Sequence, residues 1–303
     1  MNCSVTIVAV NLLLFTNFLY AGDGSATGMS FLKIGVDAAS SAMGGAAVSN
    51  SSDASAAYWN PAGLADSDGM NIMFSNQEWL AGSNNQYLGL SIPTSKFNLG
   101  LTIALSGVGD IERRDERPTV EPLGYFSSNS LAMAFSAATN LNGNLKIGVT
   151  AKFLYEKIHI YSANGFALDL GLIKTLNFLN LKSALVLKDI GSMTTLNNES
   201  TALPTRITGG LSGGFDKGAS HTFNWAIDVG KYLDSGSFVR LGGELVLNDR
   251  LSLRSGYRRN SENSSGITAG IGIRLNRYSF DYAYLPFDFN LGDTHQISFG
   301  IDL

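Results

Sequence analysis

The chain has 303 residues, of which only 15% are charged, and its formal net charge is −4. Soluble domains carry about 25% charged residues, so this composition argues against an ordinary soluble protein. The small negative charge provides no basic surface for nucleic acid, which we exclude as a partner. The length allows one large barrel or two ordinary domains.

The chain begins with a short apolar run, residues 7–19, which is followed by Tyr20 and Ala21. This pattern predicts a secretory signal peptide over residues 1–21, although the residues before the run include no Lys or Arg. A membrane anchor is the alternative, but the run is too short for a good spanning helix. The only cysteine, Cys3, would leave with the signal peptide, so the mature chain would contain no disulfide.

Residues 22–68 differ from the rest because they are rich in Ala, Ser and Gly and show no alternation. Asp37 is placed to cap a short helix over residues 38–43, which Gly44 and Gly45 would end. Such small side chains pack tightly in a narrow space. We therefore predict that this segment forms a plug, or hatch, inside the lumen of a barrel built by residues 69–303.

From residue 71 onward, apolar side chains alternate with small or polar ones. In the last strand Ile297, Phe299 and Ile301 share one face, because successive side chains of a strand point to opposite faces. The pattern predicts strands at 71–79, 85–93, 97–107, 129–139, 144–156, 163–174, 180–189, 204–214, 220–230, 237–247, 250–259, 265–275, 277–285 and 294–303. We predict an all-β fold: a transmembrane antiparallel β-barrel of about 14 strands in the bacterial outer membrane.

The connections between these strands support the barrel independently. Every second connection is short, whereas the alternate set includes long ones at about 108–128, 190–203 and 286–293. Outer-membrane barrels show this asymmetry, with short periplasmic turns and longer outside loops. A soluble β-sandwich, the alternative fold, has no reason to show it.

The later strands predict which side chains face lipid and which face the lumen. Outward candidates are mostly aromatic or aliphatic, such as Trp225, Leu241 and Phe280. The predicted lumen candidates are Asp228, Arg240, Glu244, Arg254, Arg258, Arg274 and Asp281. Because both signs of charge occur on neighbouring strands, these residues either form internal salt bridges or line a path for a ligand or solute.

No motif in the chain predicts catalysis, a metal or a cofactor. The sequence from Gly210 to Gly214 matches the G-x-S-x-G pattern, but it lies within an alternating strand and no helix follows it. The three histidines lack metal-ligand spacing. The densest charge run, residues 110–117, falls in the longest predicted outside loop, where it is either solvated or a contact surface for a partner or lipopolysaccharide.

Residues 28–65 carry a longer motif. Its pieces are FLKIG at residues 31–35, AMGGA at 42–46, and DAS at 53–55 followed by YWNPAGL at 58–64. This segment resembles the N-terminal signature of the PorV/PorQ family, and its last piece is similar to the plug of FadL-type fatty-acid channels. The signature residues are Phe31, Gly35, Met43, Gly44, Gly45, Asp53, Ser55, Tyr58, Trp59, Asn60, Pro61 and Gly63. Two departures are residues 37–41, where the family has an Arg/Ala-rich stretch, and the terminal Leu303, where an aromatic residue is common.

The resemblance implies a 14-stranded barrel with its N-terminal segment inside as a hatch. Relatives of this type bind amphiphiles in the lumen or release them sideways through the wall. The first functional hypothesis is therefore a non-enzymatic barrel, surrounded by outer-membrane lipid, that binds or passes a fatty acid or another small hydrophobic molecule. The second is an accessory or shuttle of type IX protein secretion that acts through its outside loops.

Overall fold

The computed structural model of the protein describes residues 28–115, 120–176, 181–216, 220–234, 236–260, 265–287 and 292–303. The predicted signal peptide, residues 1–21, and the first residues of the predicted plug lie outside these ranges. No helix within them is long and apolar enough to cross a membrane.

Fourteen antiparallel strands form one closed barrel in which each strand pairs with its neighbours in sequence and the first pairs with the last. The strands are β1 (Asn71–Glu78), β2 (Asn84–Ile92), β3 (Asn98–Arg113), β4 (Gly124–Asn140), β5 (Leu145–Ile158), β6 (Tyr161–Leu176), β7 (Leu181–Met193), β8 (Arg206–Asp216), β9 (His221–Tyr232), β10 (Ser237–Leu247), β11 (Leu251–Asn260), β12 (Ser265–Leu275), β13 (Tyr278–Pro286) and β14 (Asp293–Asp302). The predicted all-β barrel and its strand number are confirmed.

The outer surface of the barrel is apolar. Large side chains on its strands, such as Phe74, Leu101 and the predicted outward residue Phe280, are 46%, 47% and 50% exposed. A surface of this kind is stable against lipid and not against water. The barrel therefore lies in the bacterial outer membrane.

Several strands are longer than predicted. β3 continues to Arg113 and β4 begins at Gly124, so the hairpin between them extends past the predicted strand ends. Placing the whole charge run 110–117 in a loop was therefore wrong for residues 110–113. The register of β3 against β4 shifts between Val108 and Ile111, where Asp110 has a positive φ of 53°. Such an irregularity bends the strand locally and changes the direction of its side chains.

The two ends of the barrel differ. One, the short-turn end, carries the connections 93–97, 141–144 and 248–250, whereas the other, the long-loop end, carries 114–123 and 194–205. Residues 28–70, here called the lumenal segment, pack inside the wall and run from the long-loop end to the start of β1. The Gly28 amide donates to the Ala202 carbonyl at 3.0 Å, which fixes the first described residue at the long-loop end.

Short helical pieces make up the lumenal segment. They are the 3-10 helices Ser30–Lys33 and Pro61–Asp66 and the α-helices Ala38–Ala42 and Ala56–Trp59. The predicted cap by Asp37 is confirmed, because its carboxylate accepts a hydrogen bond from the Ser40 amide at 2.7 Å. Apolar clusters join the segment to the wall, and alanine contributes to every one of them. Small side chains let the segment approach the wall closely.

Candidate functional site: a cavity above the lumenal segment

A cavity of about 430 Å³, here called the vestibule, lies between the lumenal segment and the wall at the long-loop end. The segment supplies Phe31, Ile34 and Trp59 to its lining, and the wall supplies Trp79 and Phe287. Serines and charged side chains complete the lining. Small-molecule sites typically have volumes of roughly 300–1,000 Å³. The vestibule is therefore large enough for a small amphiphile.

Positive charge predominates among the described residues that line the vestibule: Lys33, Arg240 and Arg258 are set against Glu156. The ammonium of Lys33 lies 4.8 Å from the Tyr232 ring centroid. The Tyr232 ring thus stabilises the charge of Lys33 through a cation–π contact and leaves the ammonium available to bind an anion.

The two arginines are held in place by neighbouring groups. The Arg240 guanidinium carbon lies 4.4 Å from the Phe238 ring centroid, and its Nη1 donates to the Gly45 carbonyl at 3.2 Å. The Arg258 guanidinium carbon lies 4.6 Å from the Phe287 ring centroid. Fixed guanidinium groups beside apolar surface are suited to a ligand that has an acidic head and an apolar body.

A second cavity of about 40 Å³, here called the slot, lies between the lumenal segment and strands β1 to β5. Its lining includes Leu32, Val36 and Ala132. Phe31, Ile34 and Gly35 line both the slot and the vestibule. The backbone around residues 31–35 thus separates the two cavities.

A buried ionic cluster lies in the wall beside the slot. The Lys152 ammonium is 2.7 Å from Asp169 Oδ2 and 2.5 Å from Asp189 Oδ1, and the three side chains are at most 5% exposed. The Asp189 amide also donates to Asp169 Oδ1 at 2.8 Å. Buried carboxylates this close are stable because the shared cation and the amide balance their charge.

Two more buried cations tie this part of the wall to the lumenal segment. Lys188 donates to the Tyr58 carbonyl, and its ammonium lies 3.6 Å from the Tyr58 ring centroid. Arg206 donates to the Leu32 carbonyl at 3.1 Å. The Tyr58 hydroxyl is in turn 2.6 Å from the Ile34 carbonyl oxygen. Burial raises the pKa of this phenol, so it stays neutral and able to donate.

The AMGGA piece of the predicted signature, residues 42–46, makes a close contact with the wall. Gly44 and Gly45 have positive φ angles of 70° and 80°. A Cβ on Gly44 would lie 2.8 Å from the Tyr257 carbonyl oxygen, which leaves no room for one. The Gly44 amide donates to Thr268 Oγ1 at 3.0 Å. Only glycine satisfies both the backbone conformation and the close approach.

The YWNPAGL piece of the signature, residues 58–64, holds the middle of the segment together. Asn60 donates to the Val48 and Leu172 carbonyls at 2.9 and 3.2 Å, and Pro61 opens the following 3-10 helix. A Cβ on Gly63 would collide with the Ser51 carbonyl oxygen.

Asp37 and its neighbours form the other fixed point of the segment. Trp59 Nε1 donates to Asp37 Oδ1 at 2.6 Å. Burial raises the pKa of the Asp37 carboxyl to about 6, and the charge of nearby Asp53 adds to the rise. Asp53 itself accepts hydrogen bonds from the Ser55 amide and hydroxyl.

Of the predicted signature residues, Phe31, Gly35, Gly44, Gly45 and Trp59 line the vestibule. Met43 lies with Ala46 and Ala226 in one apolar cluster instead.

Six of the seven predicted lumen charges fall into three groups. Arg254 binds Glu244 at 2.7 Å and Asp281 at 2.5 Å, so these three form an internal salt-bridge network. Asp228 Oδ2 accepts hydrogen bonds from the Ala47 and Val48 amides at 2.8 and 3.0 Å. Arg240 and Arg258 line the vestibule, as described above. Arg274, at the short-turn end, is exposed and joins none of these groups.

Near the short-turn end, Asp66 of the lumenal segment binds two lysines of the wall. One is Lys146, and the other is Lys182 at 3.1 Å. Burial alone would raise the pKa of the Asp66 carboxyl, but the two ammonium groups hold it below its usual range. Sequence reasoning missed this pair of contacts, and it missed the Lys152 cluster. No group of three or more metal-ligating His, Cys, Asp or Glu side chains occurs in the described ranges.

Solved structures share this fold at low sequence identity. The CymD monoaromatic hydrocarbon channel aligns with a TM-score of 0.67 at 13% identity, over 92% of this chain and 99% of that one. The toluene transporter TbuX of Ralstonia pickettii aligns with a TM-score of 0.63 at 12% identity, over 89% and 98%. A Pseudomonas aeruginosa FadL homologue aligns with a TM-score of 0.54 at 10% identity, over 93% and 100%.

These comparisons establish a FadL-like barrel fold. No family model matches the sequence. A search of curated proteins likewise gives no significant match. Assignment to the PorV/PorQ family therefore stays a prediction, as does the role in type IX secretion.

Proposed function

We propose that the protein is a non-enzymatic outer-membrane channel that binds small amphiphiles in the vestibule and passes them across the membrane. The vestibule carries this proposal, because it sets several aromatic rings beside an excess of cations, which suits a ligand with an apolar body and an acidic head. The structural neighbours named for hydrocarbon or toluene transport, and the FadL homologue, support a hydrophobic cargo.

We further propose that the lumenal segment acts as the plug of this channel. Phe31, Ile34 and Gly35 separate the vestibule from the slot, so a shift of residues 30–35 would join the two cavities. The slot offers an apolar surface to the tail of a ligand. Such a shift would break the hydrogen bonds that Arg206 and Gln296 donate to the Leu32 and Gly35 carbonyls, while the contacts of residues 36–70 with the wall stay in place.

Binding of dodecanoate, measured by quenching of tryptophan fluorescence, tests the site. Arg240→Gln should weaken binding roughly 10- to 100-fold, because a hydrogen bond to a charged group is worth about 1.5–3 kcal/mol. Dodecanol, which lacks the charge, should bind both proteins alike. Arg274→Gln is the matched control, because Arg274 lies exposed at the opposite end of the barrel.

Two results would contradict the proposal. One is failure of the native protein to bind either compound, with no amphiphile found by mass spectrometry of the detergent-extracted protein. The other is equal weakening of dodecanoate binding by the Arg240 and Arg274 variants.

A further inference from the structure

We propose that the contact between the lumenal segment and strands β1 and β14, here called the seam, is a separate hydrated passage. It lets water and small uncharged polar solutes cross the barrel. The proposal does not rest on amphiphile binding, because it concerns a different permeant and mostly different residues.

The walls of the seam are lined mainly by neutral polar side chains. Strand β1 points Ser75 and Gln77 inward, and β14 points Thr294, Gln296 and Ser298 inward; all are at most 3% exposed. Elsewhere the segment meets the wall through apolar clusters and through charged side chains such as Lys188, Arg206 and Asp228. A polar face that is buried this deeply is costly unless each of its groups has a partner.

Three cavities follow one another along the seam. Gln77 borders both the vestibule and the slot, and Ser75 and Gln296 border the slot. A third cavity of about 20 Å³ is bordered by Met73 and Ser298, nearer the short-turn end. A volume of roughly 10–15 Å³ holds one water molecule, so the two smaller cavities have room for water.

The hydrogen bonds along the seam are loose. Gln77 Nε2 lies 3.4 Å from Gln296 Oε1, and Asn85 Nδ2 lies 3.4 Å from Gln77 Oε1. Among the described residues, the buried oxygens Thr294 Oγ1 and Asn85 Oδ1 have no hydrogen-bond partner. Buried polar atoms of this kind are normally satisfied, and water is the partner that fits these volumes.

The narrowest point lies where residues 35–38 approach β14. Gln296 Nε2 donates to the Gly35 carbonyl at 3.3 Å and to Ser75 Oγ at 3.1 Å. The Ala38 amide donates to Ser298 Oγ at 2.8 Å. A molecule that exchanges hydrogen bonds with these groups can pass in single file, whereas an apolar one would leave them unpaired.

Charge restricts the passage further. The vestibule end carries Lys33, Arg240 and Arg258, and the third cavity carries Asp37, Asp53 and Asp281. A cation is therefore repelled at one end and an anion at the other. Uncharged polar solutes are the class that meets neither barrier.

Swelling of proteoliposomes in glycerol or urea, followed by stopped-flow light scattering, tests the passage. Gln296→Leu keeps the side chain nearly the same size but removes its hydrogen-bonding groups. Solute flux per barrel should fall roughly fivefold, since one lost hydrogen bond raises the barrier by about 1 kcal/mol. Gln296→Ala opens the narrowest point, and flux should rise.

Ile297→Leu is the matched control, because Ile297 is the next residue and faces lipid with 60% exposure. Measuring dodecanoate binding and glycerol flux on the same native preparation separates the two proposals, because either can fail while the other holds. The passage is overturned if the native barrel admits no more glycerol than protein-free liposomes do. It is also overturned if the two Gln296 variants change flux in the same direction or not at all.

Discussion

The lumenal segment meets the barrel wall in two chemically different ways. Toward β5 to β8 the contact is made by buried ions, with Lys188 and Arg206 donating to carbonyl groups of the segment. Toward β1 and β14 it is made by neutral side chains such as Gln296 and Ser298. Breaking the buried ionic contacts would cost much free energy, so this side holds the segment in place. The neutral side can exchange its hydrogen bonds with water and small polar solutes, so it can conduct them.

The largest effect is expected on the ionic side. Lys152→Met would leave Asp169 and Asp189 buried without their cation, at a cost of about 3–5 kcal/mol in the free energy of unfolding. Urea unfolding of the folded barrel in detergent measures it. Asp169→Asn in the same chain, which removes one of the two carboxylates that Lys152 binds, should recover part of the loss. Native stability of the single variant would show that the cluster does not hold the wall.

On the neutral side, pH should act through Asp37. Its pKa is about 6 in the folded protein against 3.8 for an ordinary Asp, so the folded protein binds the proton more tightly. The free energy of unfolding should therefore rise as pH falls from 7 through 6 toward 4, by at most about 3 kcal/mol.

Asp37→Asn should show a smaller rise than the native protein, and comparing the unfolding of the two across the same pH range isolates the share of Asp37. Asp66 contributes in the opposite direction and only at lower pH, because its pKa is held below the usual value. A parallel pH dependence in both proteins would assign the rise to another group.

A substitution inside the segment should loosen it without touching either side of the contact. Gly63→Val would force the new side chain against the Ser51 carbonyl, and overpacking of this kind costs roughly 1–3 kcal/mol. Limited proteolysis of residues 28–70 should speed up while the barrel keeps its heat-modifiable migration on gels. Gly109→Val is the control, since a Cβ there meets nothing within 4 Å. Unchanged protease protection and pore conductance would contradict the proposed plug.

The smallest effect distinguishes the two lysines at Asp66. Lys182 is 36% exposed, so Lys182→Met should cost less than about 1 kcal/mol. Lys146 is only 8% exposed, and its loss should cost more. Thermal unfolding of both variants measures the difference. Equal effects would mean that burial does not set the strength of this anchor.

Alternation sufficed to predict the barrel because the wall separates two solvents of opposite polarity. It placed Arg254 and Asp281 inside, and both are there. It ended β3 too early because the strand continues through Gly107, Gly109 and Asp110, where small and polar residues replace the apolar ones. This part of the strand lies beyond the lipid bilayer, where no apolar surroundings favour apolar side chains on one face of the strand.

The ionic cluster escaped prediction for a local reason. Lys188 and Asp189 are consecutive in sequence, yet both are buried, because the register between β6 and β7 shifts near Leu168 and Asp189 has a positive φ of 59°. A two-residue period cannot place both side chains inside. The vestibule could not be predicted from the sequence either, because its lining combines residues of the lumenal segment with residues of distant strands.

The hydrogen bond between the Ala38 amide and Ser298 joins residues that are 260 positions apart. Ala38 precedes every strand of the barrel, and Ser298 lies on the last one, which closes the wall by pairing with β1. The bond can form only when the last strand has been made and brought beside the first. Docking of the lumenal segment along β14 thus depends on the strand that closes the wall, so the segment reaches its final position only when the whole chain has been made.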